Sequence, residues 1–239
     1  MTQIAVDLHM HSALSPCGDK EMTPNNIVGM SMLKALNVIA VTDHNSAKNV
    51  PAVAHAAKGL GLQILPGIEV TTKEECHILA YTPDIESVLA LDTILYKHLP
   101  MVKNRPDYFG HQYIMDEEDE IVGEVDKLLI SATDLSVEAL KTIVDEMNGI
   151  IVPAHIDRKS YSIMASLGFI PMDLKIRTVE ISRGMSLKKA RESFPVSPEI
   201  QMIQGSDAHY LEDIAEREYF LDVPDLKRDT LLKYLGYFR

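Results

Sequence analysis

Disulfides, membrane spans and cationic charge are all scarce in this chain, and each shortage narrows what it can be. Cys17 and Cys76 are the only cysteines among 239 residues. That is too few for a secreted disulfide framework, so a reducing compartment fits and both thiols stay free for packing or metal binding. No apolar run approaches ~18 residues, and the opening Met1-Thr2-Gln3-Ile4-Ala5-Val6-Asp7 has neither a basic start nor a long apolar core, which predicts a cytoplasmic protein with no membrane partner. Lys and Arg total 23 against 35 Asp and Glu, a formal net charge of −12. Such a balance argues against electrostatic capture of a nucleic-acid backbone, and no duplex nucleic acid is expected as a partner. Repeats, low-complexity tracts and linkers are missing too. A hydrophobic content of 46% over this length supplies one full core, predicting a single domain over residues 1–239.

What the chain does have is histidine and carboxylate in clusters. Asp7-Leu8-His9-Met10-His11-Ser12 lies near one end and Gly205-Ser206-Asp207-Ala208-His209 near the other. Side chains at i and i+2 of a strand share a face, so His9 and His11 should project together, and so should Asp207 and His209. Neutral imidazole and carboxylate suit Zn²⁺, Mn²⁺ or Fe²⁺, and His44, Glu69, His77 and His155 add further candidates. His9, His11, His44, His155 and His209 each follow a short apolar run, such as Val38-Ile39-Ala40-Val41 before His44. Buried parallel strands read as such runs, and barrel enzymes place catalytic groups at their carboxyl ends. His77 instead precedes Ile78-Leu79-Ala80-Tyr81 and starts its strand. His55, His98 and His111 lack ligand-type company and are read as structural or exposed.

Strand and helix patterns alternate from Ile4 onward. Thr23 and Pro24 mark a helix entry, and strands at residues 4–8, 38–42 and 63–65 separated by helices give a βαβαβ order, which predicts a parallel sheet. The middle third is less regular. Tyr113-Ile114-Met115 and Ile121-Val122 flank Asp116-Glu117-Glu118-Asp119-Glu120, the pattern of a hairpin insertion near residues 104–130 with a solvated acidic tip that shapes access to the site. Beyond it, helices and strands alternate again to a last helix near Asp229.

Asp7-Leu8-His9-Met10-His11-Ser12, Thr42-Asp43-His44, Gly67-Ile68-Glu69, Pro153-Ala154-His155 and Gly205-Ser206-Asp207-Ala208-His209 together, in this order, resemble the PHP family, named for its polymerase and histidinol phosphatase members. The resemblance implies an α/β fold, a distorted (β/α)₇ barrel, with up to three metal ions at the carboxyl ends of its strands. It implies that His9, His11, Glu69 and Asp207 hold one ion, that Glu69 bridges to a second held by His77 and His155, and that a third takes His44 and His209. The chain departs from the family's usual Ser-Asp-Gly turn, reading Ser15-Pro16-Cys17-Gly18-Asp19. Either Cys17 or Asp19 completes the third site. Asp7 fits a supporting role, and Asp43 fits one orienting neighbouring ligands.

Free-standing relatives of this kind are mostly phosphoesterases, so the resemblance implies a hydrolase with two or three divalent ions, zinc, manganese or iron, acting on a small phosphorylated substrate. A metal-activated water would attack phosphorus, with Asp207, His209 and Glu69 as the catalytic residues. Arg158 and Arg183 are the expected phosphate-binding groups, because a guanidinium fork matches phosphate oxygens. Ligand content alone leaves open an amidohydrolase-like attack on a C–N bond, and also a module without activity.

Overall fold

The computed structural model describes residues 1–236. In chain order the elements are β1 (Thr2–Met10), α1 (Pro24–Leu33), β2 (Val38–Val41), α2 (Val50–Ala56), β3 (Gln63–Ile64), β4 (Gly67–Thr71), β5 (His77–Tyr81), α3 (Ile85–His98) and α4 (Pro106–Phe109). They continue as β6 (Tyr113–Met115), β7 (Ile121–Glu124), α5 (Val137–Glu146), β8 (Ile150–Pro153), α6 (Ile163–Ser166), β9 (Thr178–Ser182), α7 (Leu187–Ser193), β10 (Gln201–Gly205), β11 (Phe220–Val223) and α8 (Arg228–Gly236). Local chemistry sets several boundaries. Thr23 accepts from Asn26 N with Pro24 in the first turn of α1, while Ser136 caps α5 through Ala139 N.

As the βαβαβ order predicts, β1, β2 and β3 pair in parallel. The pattern then breaks: β5 follows β4 directly and pairs antiparallel with both β4 and β8. Its reversed direction puts the amino end of β5 at the rim where its neighbours end, which is why His77 starts a strand yet reaches the same mouth as candidate residues that end theirs. Among the described residues the strands form four hydrogen-bonded sheets, β11-β1-β2-β3, β10-β9, β4-β5-β8 and β6-β7. No single hydrogen-bonded ladder joins all four. Single bridges, Met10 to Ala208 and His44 to Glu69, join sheets at the ends that carry the histidine and carboxylate candidates.

Ile4, Val6 and Leu8 share one core cluster with Leu79, Tyr81, Val152 and Ile203, closed by Leu231, Leu232 and Leu235 of α8. This packed layer forms a floor, and Tyr81 ties it together by donating its hydroxyl to Leu8 O at 2.7 Å. Ala5, Ile39 and Val41 face outward onto Ile27, Val28 and Val53 of α1 and α2. No helix among the described residues is long and apolar enough to cross a membrane.

The hairpin of β6 and β7 forms as expected, but its tip is not simply solvated. Asp119, with φ +65°, accepts from Thr23 Oγ1 at 2.6 Å and from Asn25 N at 2.9 Å, so its carboxylate sits at the amino end of α1. A helix start carries partial positive charge and unpaired N–H groups, and α1 has no acidic residue in its own first turn. Asp119→Ala should therefore cost about 1–2 kcal/mol in urea denaturation, and Asp119→Asn less. Wild-type stability in the alanine variant would mean the tip is solvated after all.

Candidate metal centre

A bulge in β1 creates the site. Residues 5 and 10 would face opposite sides of a regular strand, yet Ala5 and Met10 share the outer cluster, while Ile4, Val6 and Leu8 face the interior. The register with β2 shifts between Asp7 and Met10. The irregularity turns His9 inward beside Leu8, and bulges re-aim side chains in this way near active sites. His11 follows on the same side, its Nε2 3.0 Å from Asp207 Oδ1.

Glu69 occupies the centre, fully buried on β4. Its Oε1 lies 3.2 Å from His9 Nε2, 2.9 Å from His77 Nδ1 and 3.2 Å from His155 Nε2. The other oxygen, Oε2, lies 2.9 Å from His44 Nδ1 and 3.4 Å from His11 Nε2. Among the described residues three groups of potential ligand atoms result: His9, His11, Glu69 and Asp207; His44, Glu69 and His77; and His11, His44 and His209. His44 thus approaches the Glu69 and His77 pair as well as His209.

Asp207 and His209 join the cluster by a route other than the expected strand pleat. β10 ends at Gly205, and Asp207 turns left-handed, with φ +52°. Next along, His209 Nδ1 lies 2.8 Å from Asp207 O. His155, just past β8, is also left-handed. Such conformations cost of order 1–3 kcal/mol each and persist where function needs the side chain re-aimed.

A layer of carboxylates and hydroxyls fixes the imidazoles. Glu180 on β9, fully buried, lies 2.9 and 3.1 Å from His9 Nδ1 through its two oxygens and accepts from His155 N at 3.3 Å. Gly205 makes room for it, because a Cβ there would stand 2.6 Å from Glu180 Oε2. Sequence reasoning missed Glu180. Its signal was a single charge inside the apolar run Val179-Glu180-Ile181. Asp43 accepts from Ser12 N, Ser12 Oγ and Ser15 Oγ, and that Ser15 oxygen is 3.0 Å from His11 Nδ1. Asp7 accepts from Ser206 N and Ala215 N, holding the Asp207 loop against β1.

The remaining candidates divide. Cys17, at the exposed mouth, stands within electrostatic reach of His209 and His44. Desolvation beside the cluster works against its thiolate, but those histidines bring the thiol down to about 7. Asp19 turns its carboxylate onto Glu21 N at 2.8 Å, capping its own loop. Arg158 Nη1 lies 2.6 Å from Asp207 Oδ2, whereas Arg183 Nη1 donates to Asp213 O. His98 and His111 pair with Asp134 and Glu124 outside the cluster.

Electrostatics favour ligands over an ordinary hydrogen-bond network. Burial acts to raise Glu69, yet His77, His9 and His44 hold its carboxyl well below the usual range. Burial opposes ionisation of Asp207 too, and His9 and His11 overcome it. His11 is pushed well below its ordinary value by burial and by the neighbouring His209 and His44. Despite the short distances, His9 Nε2, His44 Nδ1 and Glu69 Oε2 are buried without an aligned hydrogen bond. Buried polar atoms are almost always satisfied, so orphaned nitrogen and oxygen donors converging on one space fit a divalent cation.

The PHP domain family model matches residues 7–156, more than half of the chain, and the chain belongs to that family. A stretch of 87 residues is 31% identical to the 5′-3′ exoribonuclease Rnm of Salmonella typhimurium, covering 34% of this chain and 29% of that protein. The matched stretch thus spans less than a third of that curated relative. Endonuclease Q in complex with a 27-mer duplex substrate, with an abasic lesion at its active site, shares the fold at TM-score 0.63 and 18% identity, over 98% of this chain and 56% of that one. A candidate metal-dependent phosphoesterase from Bifidobacterium adolescentis gives TM-score 0.60 and 18% identity, over 98% and 96%.

These likenesses correct one expectation. A net charge of −12 does not exclude duplex nucleic acid, since a protein of the same fold holds a duplex at its active site and a curated relative is named for degrading RNA. Net charge sums the whole surface, whereas substrate meets the mouth, where cations, once bound, would reverse the local sign.

Removing the support of His9 tests this construction. Glu180→Ala should lower metal affinity about 10- to 100-fold in chelator competition while circular dichroism stays unchanged, the usual cost of losing a ligand's hydrogen-bond partner. Undiminished affinity would show that Glu180 only fills space.

Proposed function

We propose that this single domain is a metal-dependent phosphoesterase that holds two or three divalent ions, of zinc, manganese or iron, around Glu69. The observation that carries the reading is the division of the Glu69 oxygens, one facing His9, His77 and His155 and the other His11 and His44. A carboxylate so placed can hold two cations close together. When bound, the ions would activate a water near neutral pH and neutralise charge on the phosphoryl oxygens. His9, His11, Glu69 and Asp207 would hold one ion; His77 and His155 would share Glu69 for a second. His44 and His209 would take a third, with Cys17 rather than Asp19 completing it, because both imidazoles act on the thiol to favour its thiolate while the Asp19 carboxylate accepts from Glu21 N.

The chain's own groups supply the phosphate specificity. Arg158, with a half-exposed side chain, reaches Asp207 and presents its guanidinium at the mouth, where its planar fork suits a phosphoryl group. Arg183, engaged with Asp213 O, has the weaker claim. Asp207 keeps its charge among His9 and His11, so it can position Arg158 and serve as a ligand at neutral pH. His209 gives Nδ1–H to Asp207 O, which leaves Nε2 as the nitrogen bearing the lone pair.

Protein loaded with Mn²⁺ or Zn²⁺ should hydrolyse members of a phosphate-ester panel. Asp207→Asn should nearly abolish turnover with the fold intact, a loss beyond the ~10- to 100-fold typical of outer-shell partners. Arg158→Ala should mainly raise KM if the contact is equal in ground and transition states. Inactivity on every phosphate ester together with cleavage of amides or lactams would replace the proposal with C–N hydrolysis.

A further inference from the structure

Tyr161 combines three features that packing alone does not explain. Its backbone is left-handed, φ +55°, a conformation that bulky aromatic residues adopt only where the surroundings impose it. Here two contacts impose it. Tyr161 O accepts from His77 N at 2.9 Å, and the ring stacks on the His77 imidazole with centroids 5.0 Å apart and planes at 25°. His77 in turn lies 2.9 Å from Glu69. Yet the residue remains 52% exposed. A ring kept only to shield His77 would gain by burying more of its apolar area.

The same loop leaves His155, carries Arg158 and ends at Tyr161. Arg158 reaches Asp207 at 2.6 Å with its side chain 46% exposed. A guanidinium suited to phosphate and an accessible aromatic ring therefore stand three residues apart, each against the metal cluster. Nucleotides need this pair of contacts, a cationic fork for the phosphate and a π-surface for the base.

The geometry points to Tyr161 as a base-stacking platform, and to a nucleoside phosphate, free or at the end of a single strand, as the ligand of this site. The phosphate half of the inference rests on the phosphoesterase reading above; the base half rests on the Tyr161 stack. Stacking tolerates every base, since each has a π-face, so recognition should depend on the presence of a base more than on its identity.

Non-hydrolysable 5′-phosphonate analogues of adenosine monophosphate, of a tetraadenylate and of ribose 5-phosphate separate these halves by calorimetry on metal-loaded protein. Tyr161→Ala should weaken at least one adenylate roughly tenfold or more, leaving ribose 5-phosphonate binding and metal content as in wild type. Tyr161→Phe should bind like wild type. The adenylate that loses affinity identifies the free nucleotide or the strand end as the ligand, and either result supports the platform. Unchanged binding of both adenylates overturns it, as does equal weakening of adenylates and ribose analogue, which would make Tyr161 a shield for His77. Kinetics on the parent esters tells the two readings apart. Tyr161-dependent adenylate binding without any ester hydrolysis would keep the platform and sink the phosphoesterase; ester hydrolysis with Tyr161-independent binding would do the reverse.

Discussion

The charge of Glu69 is the constraint from which the rest of the mouth follows. An ionised carboxylate removed from water costs several kcal/mol unless opposite charge or donors surround it, and Glu69 is fully buried at the point where β4 meets the loop after β2. Five imidazoles from four separate stretches of chain, His9 and His11 sharing the end of β1, converge on it. They cannot all carry protons so close together. His9 and His44 are pushed well above their ordinary values despite burial, whereas burial and cationic neighbours push His11 well below and burial lowers His77. Divalent ions would resolve that conflict, since each neutral imidazole would then offer a lone pair and the carboxylate would keep its counter-charge.

Holding such a cluster requires a frame that does not relax. Leu8, Tyr81 and Val152 pack the floor beneath it, and the left-handed turns at His155 and Asp207 are secured by Glu180 and Asp7. The hairpin contributes from the other side. Tyr113 N donates to Ala13 O, and Asn49 Nδ2 donates to Ser12 Oγ and Tyr113 O while Asn49 Oδ1 accepts from Met115 N. Gly110, with φ +98°, lies so close to Pro16 that any Cβ would collide with its carbonyl. The insertion thereby braces the loop that carries Cys17, in addition to flanking the mouth.

Much of this was legible in the sequence because ligand chemistry at the end of an apolar run is a local signal. His9, His44 and His155 were found that way, and the strands that carry them lie where the runs fall. Four things were not local. The antiparallel insertion of β5 depends on a tight return after Thr71 that the alternating pattern hid, so a parallel sheet was expected. Asp207 and His209 converge through a left-handed loop, and no two-residue period encodes that. Glu180 reads as an odd charge in a buried strand until His9 is seen beside it, and Asp119 reads as one of several acidic tip residues until the amino end of α1 is seen beneath it. Net charge misled most, because a sum over 239 residues carries no information about the sign of the mouth.

Anomalous scattering from crystals of the metal-loaded protein, recorded at the edge of the bound metal, tests the central role of Glu69 most directly. Two peaks within ~4 Å of each other, one on each side of the Glu69 carboxylate, are the predicted result. A fully loaded crystal with a single isolated ion at this locus, or with Glu69 outside the coordination of every ion, would contradict it.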